Sequence, residues 1–454
     1  MSLNTWVMVG GWNFLDRFEV DEFLDKMEEA GAGHLAFGGS LPLEPDPRNY
    51  AEGPVRGQAP PPEVMAREGE VRSLFRAARD RGMRVYSYGT NPHAGGAEAV
   101  YVQLRNKHVL DLDGCLQGVK SYWGACASAP EFRAYYLGRI RDAHQCFPEV
   151  EGFLNDGPEF GYEIMPGFMN DNWNLFACFG SCCREKAVEL GYDFEDLRQA
   201  AAALMRWLQG LDASALEHML GYPDDPLDAL SVAVNEPGIK TWFRFRQDVI
   251  ASYIEGLCEG VKSVDPGLRM GVGSRLPAFT PLTGYDLSRL ARYADFLLPK
   301  LYLWMGGCDG LYGTVYRWAR TLKTWNPHLT EDLLFRFVYR LFGFELPGVG
   351  SLDEIIRHID PACADTTGRT HLGVPFPAAF FTGAMADQVR TMIAQVGDAE
   401  RVRPWFHTDH GGRVLTPQEL DLALIAATDA GLTTYLYYCP FEPGNWEVAV
   451  KHGG

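Results

Sequence analysis

Short apolar runs of four to seven residues alternate with longer segments whose apolar positions recur at helical spacing, from one end of the chain to the other. The runs fall at residues 6–9, 34–37, 84–88, 152–156, 270–273, 296–302, 404–408 and 433–438. Each is bounded by Gly, Pro or polar residues, the signature of buried parallel strands. The segments between them carry helix punctuation. Ser128-Ala129-Pro130-Glu131 reads as a capping box with proline in the first turn, followed by Phe132, Tyr136, Ile140, Ala143 and Phe147 on one face. Thr416-Pro417-Gln418-Glu419 repeats that chemistry ahead of Leu420, Leu424 and Ala427, and Gly431 ends the segment. Residues 242–264 predict a long helix stopped by Asp265-Pro266-Gly267.

Eight strands in β–α alternation predict an α/β fold, a (β/α)8 TIM barrel. A doubly wound open sheet gives the same local pattern, and the decorations decide between the two. Long Gly-, Pro- and aromatic-rich segments follow the second, third, fourth and sixth strands, on the side where barrels build their sites. Insertions near 41–62, 162–237 and 306–376 predict helical loops on that C-terminal face. No linker interrupts the alternation, so residues 1–454 read as one catalytic domain.

The formal charge of −18 repels a polyanion, and no Lys/Arg stripe offsets it, which argues against a nucleic-acid partner. No apolar stretch approaches the roughly 20 residues of a membrane span. The N-terminus lacks the basic and small-residue pattern of a secretion signal, and ten cysteines show no scaffold spacing. A cytoplasmic chain with reduced thiols is expected, as a monomer or a homo-oligomer.

Chemistry concentrates at Glu151-Gly152-Phe153-Leu154-Asn155-Asp156-Gly157-Pro158-Glu159-Phe160. An apolar strand ends in one carboxylate, breaks at Gly-Pro and presents a second beside an aromatic ring. Asp156 and Glu159 lie at most about 10 Å apart along an extended chain. Glycoside hydrolysis needs one protonated and one ionised carboxyl, and desolvation beside Phe160 suits Glu159 to the acid role.

The run Cys126-Ala127-Ser128-Ala129-Pro130-Glu131-Phe132-Arg133-Ala134-Tyr135, together with the Asp156 segment, resembles a group of uncharacterised TIM-barrel proteins regarded as hypothetical glycoside hydrolases, distant relatives of the clan A β-galactosidases. Cys178-Phe179-Gly180-Ser181-Cys182-Cys183-Arg184 resembles their cysteine-bearing loop, and residues 242–246 and 264–272 match the approach to their fifth strand. The resemblance covers roughly the middle third of the chain. It implies a barrel, a saccharide substrate and a role for Asp156. It departs at Gly180, where the group often carries a middle cysteine; Cys126, Cys178, Cys182 and Cys183 would then supply a structural zinc, although buried thiols without metal and no cofactor are the simpler expectation.

Other residues at strand ends complete the candidate site. Lys300, Tyr302 and Trp304 close the sixth strand, with Lys300 paired with Asp156, bound to a sugar hydroxyl or turned outward, and Tyr302 and Trp304 stacking on a pyranose ring or filling core. His407, Asp409 and His410 end the seventh, and Asp409 is the preferred partner carboxylate. Tyr86, Tyr88 and Asn91 at the third strand are expected to contact substrate. Trp12 and Asn13 after the first strand, and Glu442 and Trp446 after the eighth, are expected at the rim. Asn235-Glu236-Pro237 matches the acid/base signature of clan A glycosidases, but a proline-led helix start explains it equally well, so it reads as a decoy. The expected activity is hydrolysis of an O-glycosyl bond. The rivals are a sugar-acid isomerase or lyase using Lys300 and the two histidines, and a saccharide-binding barrel without turnover.

Overall fold

The computed structural model describes residues 3–10, 15–16, 18–51, 56–88, 112, 126–164, 175–222, 225–303, 310–358, 374–408, 415–438 and 444–453. Eight strands, β1 (Asn4–Gly10), β2 (His34–Gly38), β3 (Arg84–Tyr88), β4 (Val150–Asp156), β5 (Arg269–Ser274), β6 (Phe296–Pro299), β7 (Trp405–His407) and β8 (Thr434–Tyr438), form one sheet in the order β6-β5-β4-β3-β2-β1-β8-β7. Every pairing is parallel. The ends meet through two parallel bridges, Leu297 to Val402 and Lys300 to Trp405. Leu301 N–H donates to the Trp405 carbonyl at 2.9 Å and Arg403 N–H to Leu297 at 2.8 Å. The result is the expected (β/α)8 barrel, with helices around the strands. β6 stops at Pro299, short of the expected 302, because proline has no N–H to offer a ladder.

Period-two alternation fixes which residues face the barrel axis. Trp6 on β1 and Phe296 on β6 are not on neighbouring strands, yet their rings lie 5.2 Å apart, so both are inside. Tyr88 on β3 and Trp405 on β7 meet across the interior at 5.2 Å. Following the register from these anchors sorts the interior into levels. His34, Arg84, Arg269 and Arg403 lie at the N-terminal pole, and Trp6, Tyr86 and Phe296 above them. Tyr88 and Trp405 come next, and Asp156, Lys300, His407 and Tyr438 line the C-terminal mouth. Gly152 and Gly271 make room for the large rings. A Cβ on Gly152 would stand 2.9 Å from Tyr86 Cε1, and one on Gly271 would overlap the Phe296 ring.

Helix boundaries follow local chemistry with two exceptions. The Thr416 capping box forms, with Pro417 in the first turn of the helix Pro417–Asp429. The helix Pro130–Cys146 has no side-chain cap, so the expected Ser128 box does not form; the Ser128 hydroxyl instead lies 3.3 Å from Cys183 Sγ. The long helix runs Gly238–Val264, four residues earlier than its apolar pattern predicts. Two of the expected insertions are helical. Ser181–Leu190, Phe194–Gln209, Ala213–Leu220 and Pro226–Val234 follow β4, and Leu311–Trp325, Glu331–Phe342 and Leu352–Ile356 follow β6. The segment near 41–62 carries two short turns of helix, and Tyr50 and Asn49 pin it by donating to Asp142 at 2.5 and 2.7 Å. No described helix is long and apolar enough to cross a membrane.

Gly271→Ala is expected to destabilise the protein by about 1–3 kcal/mol through overpacking against Phe296. Gly69→Ala, in an open stretch of helix with nothing within 4 Å, is expected to be neutral or stabilising by up to ~1 kcal/mol. Thermal unfolding of the two variants checks the contrast; equal melting temperatures would remove the crowding explanation.

Candidate active site

Asp156 is the last residue of β4 and faces the axis at the mouth. It is buried, with Oδ2 accepting from the Tyr88 hydroxyl at 2.9 Å and Oδ1 lying 2.9 Å from Lys300 Nζ. Lys300 comes from just beyond β6, and its stem lies along the barrel so that Nζ sits 5.7 Å from the Trp405 ring centroid. The outward-snorkelling alternative is therefore not taken. Burial pushes the Tyr88 phenol well above its ordinary pKa, and the Asp156 charge pushes it further, so the phenol stays a donor to that carboxylate.

Aromatic surface surrounds the pair. Tyr302 packs edge-on against His407 at 5.6 Å, and His407 against Tyr438 at 4.3 Å. Tyr88, Lys300, Tyr302 and His407 are thus brought together around Asp156, as expected. Tyr86 is not. It lies two residues lower on the same face, fully buried between Trp6 and Phe296, so it cannot touch a substrate at the mouth. Trp446 is also displaced: it packs on Tyr437, which alternates to the outside of β8, and belongs to the barrel's outer layer. Trp12, Asn13, Asn91, Trp304, Asp409, His410 and Glu442 lie outside the described residues.

Glu159 has a different role from the one expected of it. Arg275, the residue after β5, donates from Nε to Oε2 at 2.6 Å and from its terminal nitrogen to Oε1. Both residues are almost fully buried. Two parallel bonds from one guanidinium occupy both carboxylate oxygens, leaving neither free to present a proton to a glycosidic oxygen. The Phe160 ring expected to desolvate Glu159 instead covers Arg246, at 4.7 Å. Further along the loop, Glu163 is clamped by Arg317, with Nε to Oε1 at 3.0 Å, and burial pushes its carboxyl up against the pull of Arg317. Tyr285 closes the loop by donating to the Pro158 carbonyl at 3.2 Å.

Glu236 is spent on the backbone: Oε1 accepts from Gly238 N–H at 3.0 Å at the start of the long helix, after Asn235 ends the preceding helix in the left-handed region at φ 53°. Glu236 thus sits at a proline-led helix start, the position the decoy reading gives it.

Arg275, Glu163, Arg317, Trp405 and Tyr438 were missed from sequence. Arg275 and Tyr438 sit at strand ends, where the rule that found Asp156 would have found them. Arg317 lies inside an inserted helix and carries no comparable signal.

The cysteine loop converges as well. Cys126 Sγ lies 3.5 Å from Cys183 Sγ and 3.7 Å from Cys178 Sγ, and the three sulfurs lie within 4.8 Å of one another, all buried. Sulfurs about 2.3 Å from a tetrahedral zinc would stand about 3.8 Å apart, so these three fit such a donor set.

The fold defines the class: a (β/α)8 barrel with a carboxylate at the C-terminal end of β4. Among solved structures, the β-galactosidase of the Antarctic haloarchaeon Halorubrum lacusprofundi superposes with a TM-score of 0.52 at 11% identity, over 99% of this chain and 57% of that one. That of the psychrophilic Marinomonas ef1 gives 0.51 at 12%, over 99% and 59%. The PgaB (BpsB) glycoside hydrolase domain from Bordetella bronchiseptica gives 0.48 at 11%, over 97% of this chain and 94% of the domain. The chain spans under two thirds of the length of the two β-galactosidases, and at these identities the likeness shows the fold alone. No family model matches the chain, and no curated protein matches it in sequence.

Removing one member of a buried ion pair strands the other. Arg317→Leu is expected to cost about 3–5 kcal/mol by leaving Glu163 uncompensated, and adding Glu163→Leu is expected to restore much of that loss. A double-mutant cycle by urea unfolding measures it; additive losses would mean that the pair is not coupled.

Proposed function

We propose that this chain is a glycoside hydrolase in which Asp156 is the ionised catalytic carboxylate. The observation that carries this reading is a buried carboxylate at the C-terminal end of β4, held by Tyr88 and Lys300 and ringed by Tyr302, His407 and Tyr438. Cleavage of a glycosidic bond builds positive charge on the sugar ring, and a preorganised carboxylate stabilises it. Lys300 and Tyr88 fix Asp156 in one orientation. Asp409, two residues beyond His407 in sequence, is the proton donor, since Glu159 is committed to Arg275. Tyr302, Trp304 and Tyr438 supply apolar surface for a pyranose ring, and His407, His410, Asn91 and Glu442 bind its hydroxyls. Glu159 positions the loop that carries Asp156.

The thiol cluster suits a structural zinc held by Cys126, Cys178 and Cys183, with Cys182 as the fourth ligand. Arg246 supports this. It is fully buried, and among the described residues it reaches, besides aromatic faces, the carbonyls of Leu175 at 3.2 Å and Gly161 at 2.5 Å. Burial pushes its pKa down while Cys183 and Cys178 pull it back up. Four thiolates on a divalent ion leave two negative charges to offset that guanidinium. The metal would tie the β4 loop to the helix that follows Cys126.

Activity on aryl glycosides tests the catalytic reading. Asp156→Asn and Asp409→Asn are each expected to lower kcat by roughly 10³-fold, and Glu236→Gln, which keeps the oxygen that accepts from Gly238 N–H, to change it by less than about twofold. Full activity in Asp156→Asn together with loss in Glu236→Gln would overturn the assignment. The isomerase or lyase reading, which Lys300 in the mouth keeps in play, predicts solvent deuterium on a substrate carbon without a new reducing end. Metal analysis of the purified protein is expected to find about one zinc per chain, lost in Cys178→Ser with a lower melting temperature. Metal-free protein of unchanged stability would contradict the zinc assignment.

A further inference from the structure

The pole of the barrel opposite the mouth carries an unusual charge. His34 on β2, Arg84 on β3, Arg269 on β5 and Arg403 just before β7 all occupy axis-facing register positions at the N-terminal end. The Arg403 guanidinium is stacked within 4.2 Å of the Trp6 ring and 4.1 Å of the Phe296 ring. The His34 imidazole lies flat on Trp6 at 4.1 Å, and Tyr86 leans on Trp6 at 4.6 Å. Among the described residues, Glu151 pairs with Arg84 at 3.7 Å and also serves Arg79, and Asp295, itself held by Lys262 and the Met270 N–H, attracts Arg403 without pairing with it. No described carboxylate forms an ion pair with Arg269 or Arg403. In a chain of formal charge −18, positive charge has been gathered at one end of the axis.

The same cluster holds a concentration of buried polar atoms, donors foremost, without hydrogen-bond partners among the described residues. Trp6 Nε1, Tyr86 Oη, Arg403 Nε and Nη1 and His34 Nδ1 are all buried without a partner among the described residues. Trp6 and Tyr86 are completely buried. Indole and guanidinium nitrogens donate only and cannot satisfy one another. Each orphaned donor costs about 1–3 kcal/mol, so the one indole and two guanidinium donors, which have no acceptor of their own, favour a shared one. A water molecule would accept from some of them but would leave the mutual repulsion of the arginines unrelieved. An anion answers both.

We propose that the N-terminal pole of the barrel binds a small monovalent inorganic anion of the chloride type, on the N–H and O–H groups of Trp6, Tyr86 and Arg403. Arg84 and Arg269 supply long-range attraction from the rim, where the Arg84 side chain is 43% exposed and opens the way to solvent. Aromatic walls and donor-only ligands suit a compact ion with a single charge and disfavour a large, strongly hydrated dianion. The positive field is already felt by His34, whose pKa is lowered to about 3 by burial and then by Arg403, Arg84 and Arg269. The site lies at the stability face of the barrel, so its effect is on folding free energy and not on turnover.

Thermal unfolding of the full chain in sodium chloride, compared with sodium gluconate at equal ionic strength, tests the proposal. Chloride is expected to raise Tm by about 2–5 °C in a saturable manner, with kcat on any substrate unchanged. Trp6→Phe, which keeps the ring and removes the donor, is expected to raise the half-saturating chloride concentration by about tenfold or more. Arg403→Gln is expected to abolish the effect. Crystals soaked in bromide are expected to show an anomalous peak within hydrogen-bond distance of Trp6 Nε1 and Arg403. Identical melting in the two salts, or ordered water at that position with no bromide peak, would overturn it, whether or not the variants fold.

Discussion

Closure of eight parallel strands is the constraint on which everything else rests. Once β6 and β7 join through Lys300 and Trp405, every second residue of each strand must be accommodated along a single axis. Large rings from non-neighbouring strands then have to share that space. They do so only because Gly152 and Gly271 leave it vacant for Tyr86 and Phe296. The axis is consequently graded: cationic at the N-terminal pole, aromatic through the middle, and polar with a carboxylate at the mouth.

The mouth inherits its chemistry from that grading. Asp156 extends from a wall of rings into a setting where its charge is answered by one phenol from β3 and one lysine from just beyond β6. The loop beyond it continues the same device. Asp156, Glu159 and Glu163 are matched with Lys300, Arg275 and Arg317, each cation arriving from a different stretch of sequence. Three buried ion pairs in eight residues hold a chain that Gly157 and Pro158 would otherwise leave poorly constrained. Such pairs contribute little net stability, but breaking one is expensive, which makes them suited to fixing one loop geometry.

Much of the fold was legible because strand burial and helix punctuation are local properties. All eight strands fall where short apolar runs stand, and the Thr416 box and the Pro266 stop are read from four residues at a time. The Ser128 box failed because a tertiary contact, the approach of Cys183, drew the hydroxyl away. The site was legible wherever a strand-end position sufficed, as for Asp156, Tyr88, Lys300 and His407. It was not legible where the decisive fact was a partner. Glu159 looked like an acid beside Phe160 because nothing in the sequence places Arg275 against it. Tyr86 looked like a ligand because only the register shows that it lies two levels below the mouth.

A crystal structure with a bound iminosugar bears on Asp156 without reference to rates, since the ammonium of such a compound mimics the cationic ring of the transition state. The nitrogen is expected within about 3 Å of an Asp156 carboxylate oxygen, with the ring stacked among Tyr302, Tyr438 and His407. An iminosugar seated against Glu236, or one that leaves the Lys300–Asp156 pair untouched and out of reach, would contradict the role assigned to that carboxylate.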